Sequence, residues 1–188
     1  MTATSTIRRI QAPFDEATAR SLKAGESVRI TGTILAARDA AHKRLCECLD
    51  RGEPLPIDLQ GQVVYYVGPS PAKPGQVIGA AGPTTAGRMD AYAPRLMASG
   101  LKGMIGKGYR SKDVVEAMKT HGVPYLAAVG GAGALIARAI KSYTVVAWPE
   151  LGPEALALME VEDFPAIVVI DSYGEDFYKA GQAPYRSI

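Results

Sequence analysis

The chain has 188 residues, of which 47% are apolar and 21% charged, a composition that allows one good core and excludes a disordered segment. A formal net charge of +2, without aromatics interleaved among basic residues, excludes the usual footprint of nucleic-acid binding. No run reaches membrane-spanning length and the opening MTATSTIRRIQAPF has no apolar signal core, so, with Cys46 and Cys48 its only cysteines, a cytoplasmic protein with reduced thiols is expected.

Residues 1–26 read as a loose N-terminal arm, with Ile7, Ile10 and Phe14 placed to pack on a neighbour and a short helix ending at Gly25. Residues 27–36, SVRITGTILA, alternate β-branched and other residues and predict a strand. Arg38 and Asp39 follow, and AAHKRLCECLD predicts a helix with Asp39 as its N-cap. Arg38 then stands at a strand-to-helix junction, the usual place for ligand groups in α/β folds. A proline-bearing loop over 51–59 leads to a strand over 62–68 and a proline-rich turn over 69–75. Short strands are expected over 77–81 and 103–105. Ser111 caps a helix through Lys119, with Asp113 in its favourable first turn and His121 near its end.

Residues 125–129 predict a strand, after which Gly130-Gly131-Ala132-Gly133 opens a small-residue helix to Lys141. Such a run can cradle an anion or allow tight helix–sheet packing, and the composition favours packing. A strand over 143–148, a helix over 153–160 and a strand over 166–171 follow, and the last residues read as a tail. Strands alternate with helices from residue 60 onward, which predicts an α/β fold with a largely parallel central sheet in a single domain.

The stretch 79–108 gathers the candidate chemistry. Gly82-Pro83 ends an extended run, because proline cannot continue a ladder. Thr84 or Thr85 then stands where a helix N-cap belongs. A helix starting there would put Thr84 and Arg88 about one turn apart on one face, above free N–H groups that suit carboxylate or phosphate oxygens. An ordinary capped helix with a solvated arginine gives the same spacing. Lys107 lies between Gly106 and Gly108, which lets backbone or ligand approach closely; a flexible surface turn has the same composition. No Ser or Thr follows the lysine, so this is not a phosphate-binding P-loop.

Cys46 and Cys48, two positions apart on a helix, point roughly 200° away from each other and cannot chelate one ion together. His42 shares a face with Cys46, but two ligands are too few for a structural metal site. What remains is Arg38, Arg88, Lys107 and the Thr84 hydroxyl. Cations of this kind clamp carboxylates and stabilise the enolate-like charge left when a proton departs next to one. A group to expel hydroxide is missing, so the residues describe half of an active site.

The runs RDAAHKRL (38–45), YYVGPSPA (65–72), GPTTAGRMD (82–90), KGMIGKG (102–108), VGGAGAL (129–135), ELGPEA (150–155) and DFPAIVVID (163–171) resemble, in order and spacing, the β-type domain of the iron–sulfur hydro-lyases, the class I fumarases and L-tartrate dehydratases. The resemblance covers about residues 27–178. It implies a swivelling β/β/α fold for that domain, flanked by the arm over 1–26 and a tail over 179–188. It also implies a partner α subunit that holds a [4Fe–4S] cluster on three cysteines, with the site shared between the two subunits. Carried onto this chain, it makes Arg38, Arg88 and Lys107 the grip on the substrate carboxylates, Thr84 the base, with Lys107 beside it in the catalytic set, and Asp39 and His42 positioning residues. No metal ligand falls on this chain.

The resemblance therefore implies a β subunit of a two-subunit fumarate hydratase that interconverts (S)-malate and fumarate, both C4 dicarboxylates, in a heterodimer or α2β2 heterotetramer. L(+)-tartrate dehydratase is the alternative within the class. A non-catalytic carboxylate- or protein-binding module is the alternative outside it, and the complete cation set argues against that module.

Overall fold

Successive residues of a strand point to opposite faces, so a strand with two apolar phases can serve two cores at once. This is how the chain folds in a computed structural model, which describes residues 7–185. Strands β1 (Arg8–Ala12), β2 (Ser27–Ala36), β3 (Val63–Tyr65), β4 (Gly103–Gly106) and β5 (Tyr125–Ala127) pair in that order, all parallel. Strand β6 (Ile140–Ala147) pairs with the long β7 (Leu156–Ile170), which is antiparallel to β2, β5 and β6. The pairings thus run β2–β3–β4–β5–β7 and return to β2, a ring with β1 and β6 outside it.

Ile34, Ala36, Val63, Tyr65, Ile105, Leu126 and Val168 share one buried cluster. Their immediate neighbours Leu35, Val64, Tyr66, Met104, Tyr125 and Val169 share the other. The second cluster is roofed by α2 (Asp39–Arg51), α3 (Ala93–Ala98) and α4 (Lys112–His121), through Leu45, Leu96 and Met118. The protein is a single α/β domain with a mixed sheet. The largely parallel sheet expected from the sequence is corrected on one side by β7.

Several local expectations change as well. The stretch read as a loose arm carries β1 and α1 (Glu16–Ser21), and Ile10 and Phe14 pack in the chain's own core. Residues 1–6 and 186–188, at the outer ends of the expected arm and tail, lie outside the described residues. The tail holds the last residues of α6 (Phe177–Gln182), whose cap Asp176 accepts from Tyr178 N–H and Lys179 N–H.

The helix expected over 153–160 is absent. Pro149–Glu154 forms 3-10 turns, and Leu156 onward enters β7. Leu, Ala, Met and Glu favour helix locally, but pairing along both edges of β7 overrides that preference. Residues 77–81 form no strand; the backbone there is tied by Ala81 N–H to Gly133 O at 3.1 Å and by Tyr65 Oη to Ala81 O at 2.6 Å. The helix after the glycine run is short, α5 (Gly133–Ala137). Its first residue packs tightly, as expected: a Cβ at Gly133 would lie 2.9 Å from Gly82 N.

Candidate active site

Because β2 to β5 run in one direction, their carboxyl ends lie on one edge of the sheet. Ligands of α/β proteins gather at this edge. Arg38 follows β2 and Lys107 follows β4. Thr84 is stitched between the ends of β3 and β4: its N–H donates to Tyr66 O at 2.7 Å, and Lys107 N–H donates to Thr84 O at 3.2 Å. Pro83 bridges to Val67 and Thr85 to Lys107, so this segment is strand-like.

The expected helix at Thr84 or Thr85 is therefore corrected. Thr85 precedes a single 3-10 turn, Ala86–Met89, without a side-chain cap, and α3 begins afresh at Ala93 with Pro94 in its first turn. Proline suits a helix start and not a helix interior, which is why the expected helix breaks. Thr84 and Arg88 are not helical neighbours, and the long helix that starts at this edge is α2, behind Arg38 and Asp39. The positive charge comes from side chains.

Arg38 and Arg88 meet on Asp39. Arg88 Nε lies 2.9 Å from Asp39 Oδ1, and Arg38 Nε donates to Asp39 Oδ2 at 3.2 Å. Asp39 is in the first turn of α2 and is not its N-cap; that position belongs to Arg38, which gives no side-chain cap. Both Asp39 oxygens are engaged by the arginines, and the free Ala40 N–H is met instead by Glu154 Oε2 at 3.0 Å. Glu154 Oε1 also lies 3.2 Å from Arg38 Nη2. Two guanidinium groups and two carboxylates thus form one chain of ion pairs, with Arg88 at its exposed end.

Lys107 is exposed and has no carboxylate partner among the described residues. It lines an apolar groove of about 490 Å³ with Ala128, Val129, Gly130, Phe177 and Tyr178. The Thr84 hydroxyl makes no hydrogen bond among the described residues. The structure brings Arg38 and Arg88 together through Asp39, and Thr84 and Lys107 together through their backbones. The two pairs are joined by Val67-Gly68, since Val67 bridges Pro83 and Gly68 lies against the Arg38 side chain.

A buried layer supports these groups. His42 is fully buried, and its Nδ1 lies 2.9 Å from Arg38 O, so Nδ1 carries the proton that this carbonyl accepts. Burial pushes the His42 pKa down to about 4, leaving the ring neutral at neutral pH. The ring packs edge-on against Tyr66, with centroids 5.2 Å apart. Arg110, its side chain fully buried, donates to Tyr66 Oη at 3.2 Å and to Asp90 Oδ1 at 2.7 Å. Asp90 also accepts from Ser111 N–H at 2.7 Å, tying the turn that carries Arg88 to the start of α4.

Sequence reasoning missed Arg110 and Glu154. For Arg110 the available signal was its place after Gly108-Tyr109 at a strand end. Glu154 lies 114 positions from Ala40, and nothing local announces the contact. Both cysteines are buried on α2. Two cysteines cannot supply three thiolates, and no group of three His, Cys, Asp or Glu side chains converges as a ligand set among the described residues. The chain's own residues do not fit an iron–sulfur cluster. No helix of the described residues is long and apolar enough to cross a membrane.

Comparison with known proteins places the chain in a family. Residues 3–181 match the family described as Fumarase C-terminus. The chain is 46% identical to fumarate hydratase 2 of Leishmania major over 156 residues, 82% of this chain and 28% of that protein. It is also 46% identical to the aerobic class I fumarate hydratase of Escherichia coli (strain K12), over 80% of this chain and 28% of that protein. The chain thus spans little more than a quarter of the length of these relatives. A protein of Methanocaldococcus jannaschii, provisionally named L(+)-tartrate dehydratase subunit beta, is 38% identical over 85% of each chain. With nearly its whole length matched, the chain belongs to the Fumarase C-terminus family.

Proposed function

We propose that the chain is the β subunit of a two-subunit class I fumarate hydratase, a cytoplasmic hydro-lyase that interconverts (S)-malate and fumarate at a site shared with an α subunit. The single observation that carries this is the cation edge, where two arginines converge on one carboxylate and Lys107 stands without one among the described residues. Arg88 gives its Nε to Asp39 and stays half-exposed. A bidentate guanidinium edge and an ammonium suit the two carboxylates of a C4 dicarboxylate. The same charges stabilise the enolate-like carboxylate formed when the neighbouring carbon loses its proton. We assign handling of that proton to Thr84, which the backbone holds next to Lys107.

The [4Fe–4S] cluster of this reading belongs to the α subunit, and this chain contributes charge and a hydroxyl. The tartrate dehydratase relative is itself named a subunit, which supports a reading with a partner subunit. A heterodimer or an α2β2 heterotetramer follows. The swivelling β/β/α fold is part of the same proposal, supported by the parallel strands β2 to β5 closed by antiparallel β7. The tartrate dehydratase relative, matched over most of its own length, makes L(+)-tartrate, giving oxaloacetate, the second substrate reading.

The test is anaerobic co-production with the α-type protein, followed by assays on malate, fumarate and tartrate. Turnover of malate and fumarate is expected. Turnover of tartrate alone would select the second reading, and a cluster-loaded pair inactive on all three would leave a binding module.

A further inference from the structure

Glu154 arrives at the site from the far end of the chain, and its two oxygens do different things. Oε1 lies 3.2 Å from Arg38 Nη2, and Oε2 accepts the Ala40 N–H at 3.0 Å. Ala40 is the second residue of α2, and its amide is one of the first-turn donors that no helix satisfies internally. One carboxylate therefore joins the guanidinium to the start of the helix that carries it. With Asp39 on its Nε and Glu154 on its Nη2, Arg38 is held through two of its three nitrogens.

The Gly68 backbone lies close to the same side chain. A Cβ at Gly68 would lie 2.8 Å from Arg38 Nη1 and 2.9 Å from its Cδ, and 3.4 Å from Pro153 O. The segment that delivers Glu154 is itself in an uncommon conformation. Trp148 adopts φ 56°, ψ 53°, and Gly152 φ 57°, ψ −123°. A non-glycine residue in the left-handed region persists only where its surroundings hold it. Here α2 does the holding: Arg44 Nη1 lies 2.9 Å from Glu150 Oε1, and its guanidinium lies 5.9 Å from the Trp148 ring centroid.

We propose that Glu154 is a positioning residue that fixes the orientation of Arg38 for carboxylate binding. This deepens the functional reading above and rests on it. Glu154 and Arg38 keep 29% and 22% of their side-chain surface in solvent, so the pair adds little to folding stability. Its effect is on geometry. Without Glu154, Arg38 keeps one carboxylate partner and turns about its terminal torsions. A grip on a substrate carboxylate acts in the ground state and the transition state alike, so loosening it raises KM more than it lowers kcat.

The experiment uses the assembled α–β enzyme, with steady-state kinetics on malate, equilibrium titration with succinate and thermal unfolding. Glu154→Ala is expected to raise KM and the succinate dissociation constant by about tenfold, with kcat changed by less than about threefold. Glu154→Gln should recover part of the loss, because its amide oxygen still accepts from Arg38 or from Ala40 but not from both. In succinate titrations Glu154→Ala should add nothing to Arg38→Ala, since it acts through that residue. Gly68→Ala crowds Arg38 most closely, with Pro153 O further off at 3.4 Å, keeps the Glu154 carboxylate, and should reproduce the KM effect even where Glu154→Ala fails to fold.

Affinities within about twofold of wild type in Glu154→Ala and Gly68→Ala would overturn the proposal, as would a further loss in the Arg38→Ala background. A wild-type pair that binds succinate without turnover, and binds it more weakly after Glu154→Ala, removes the hydratase reading and keeps the positioning role. A pair that neither turns over nor binds succinate removes both.

Discussion

Arg88 and Lys107 are the least buried members of the cation edge, and this separates their chemistry from the fold. Arg88 is half-exposed, and its described ion pair is the one with Asp39. Under the proposed function, replacing either residue by alanine should lower turnover by on the order of a hundredfold or more, since that reading assigns their charge to a developing anion. Neither change should move the unfolding midpoint by more than about 0.5 kcal/mol equivalent. Near-wild-type rates with intact folding would remove these residues from the site.

His42 makes the opposite case, a residue whose burial writes itself into stability. Its pKa falls from the ordinary 6.5 to about 4 because the charged ring cannot be solvated. Between those values the unfolded chain binds a proton that the folded chain refuses, so stability drops as pH falls from 6.5 towards 4 and then levels off. The full loss from this one group is roughly 3 kcal/mol. Urea midpoints measured at pH 7 and pH 5 should therefore differ, and His42→Gln should flatten the difference.

Among the elements, the segment from Gly79 to Thr85 shows how a site is built without regular structure. It is neither strand nor helix, yet it is held by Ala81 N–H on Gly133 O, by Tyr65 Oη on Ala81 O and by Thr84 N–H on Tyr66 O. Helix α5 presses on it from outside, with Gly133 against Gly82. An added methyl there meets backbone and not a flexible side chain, so the backbone must move. Gly133→Ala should cost about 1–3 kcal/mol and displace Thr84 from Lys107. Differential unfolding and activity should fall together; an unchanged midpoint would show that α5 can shift freely. Strand β7 is the complementary case, because long-range pairing on both edges turned a helix-favouring run into strand.

For the whole molecule, the ring of strands leaves every candidate cation at one edge and no metal-ligand set among the described residues. The chain matches its family over residues 3–181 and spans 28% of the length of the longer relatives. Under the proposed function the chain purified alone should carry no iron and show no turnover, and both should appear on assembly with the α-type protein. Iron analysis and malate dehydration before and after mixing decide this. A stoichiometric cluster in the lone chain would contradict the division of labour.

The alternation in SVRITGTILA and the capping of α4 by Ser111 were legible because they are local: a strand's two faces and a helix's first turn are written in neighbouring residues. The places of Arg38 after β2 and of Lys107 after β4 were legible for the same reason, each beside a strand end. Tertiary structure alone decided that β7 is a strand, that Ile10 and Phe14 belong to the chain's own core, and that Glu154 reaches Arg38. Those outcomes depend on which segments meet when the sheet closes, and residues far apart in the chain carry no shared local pattern to announce it.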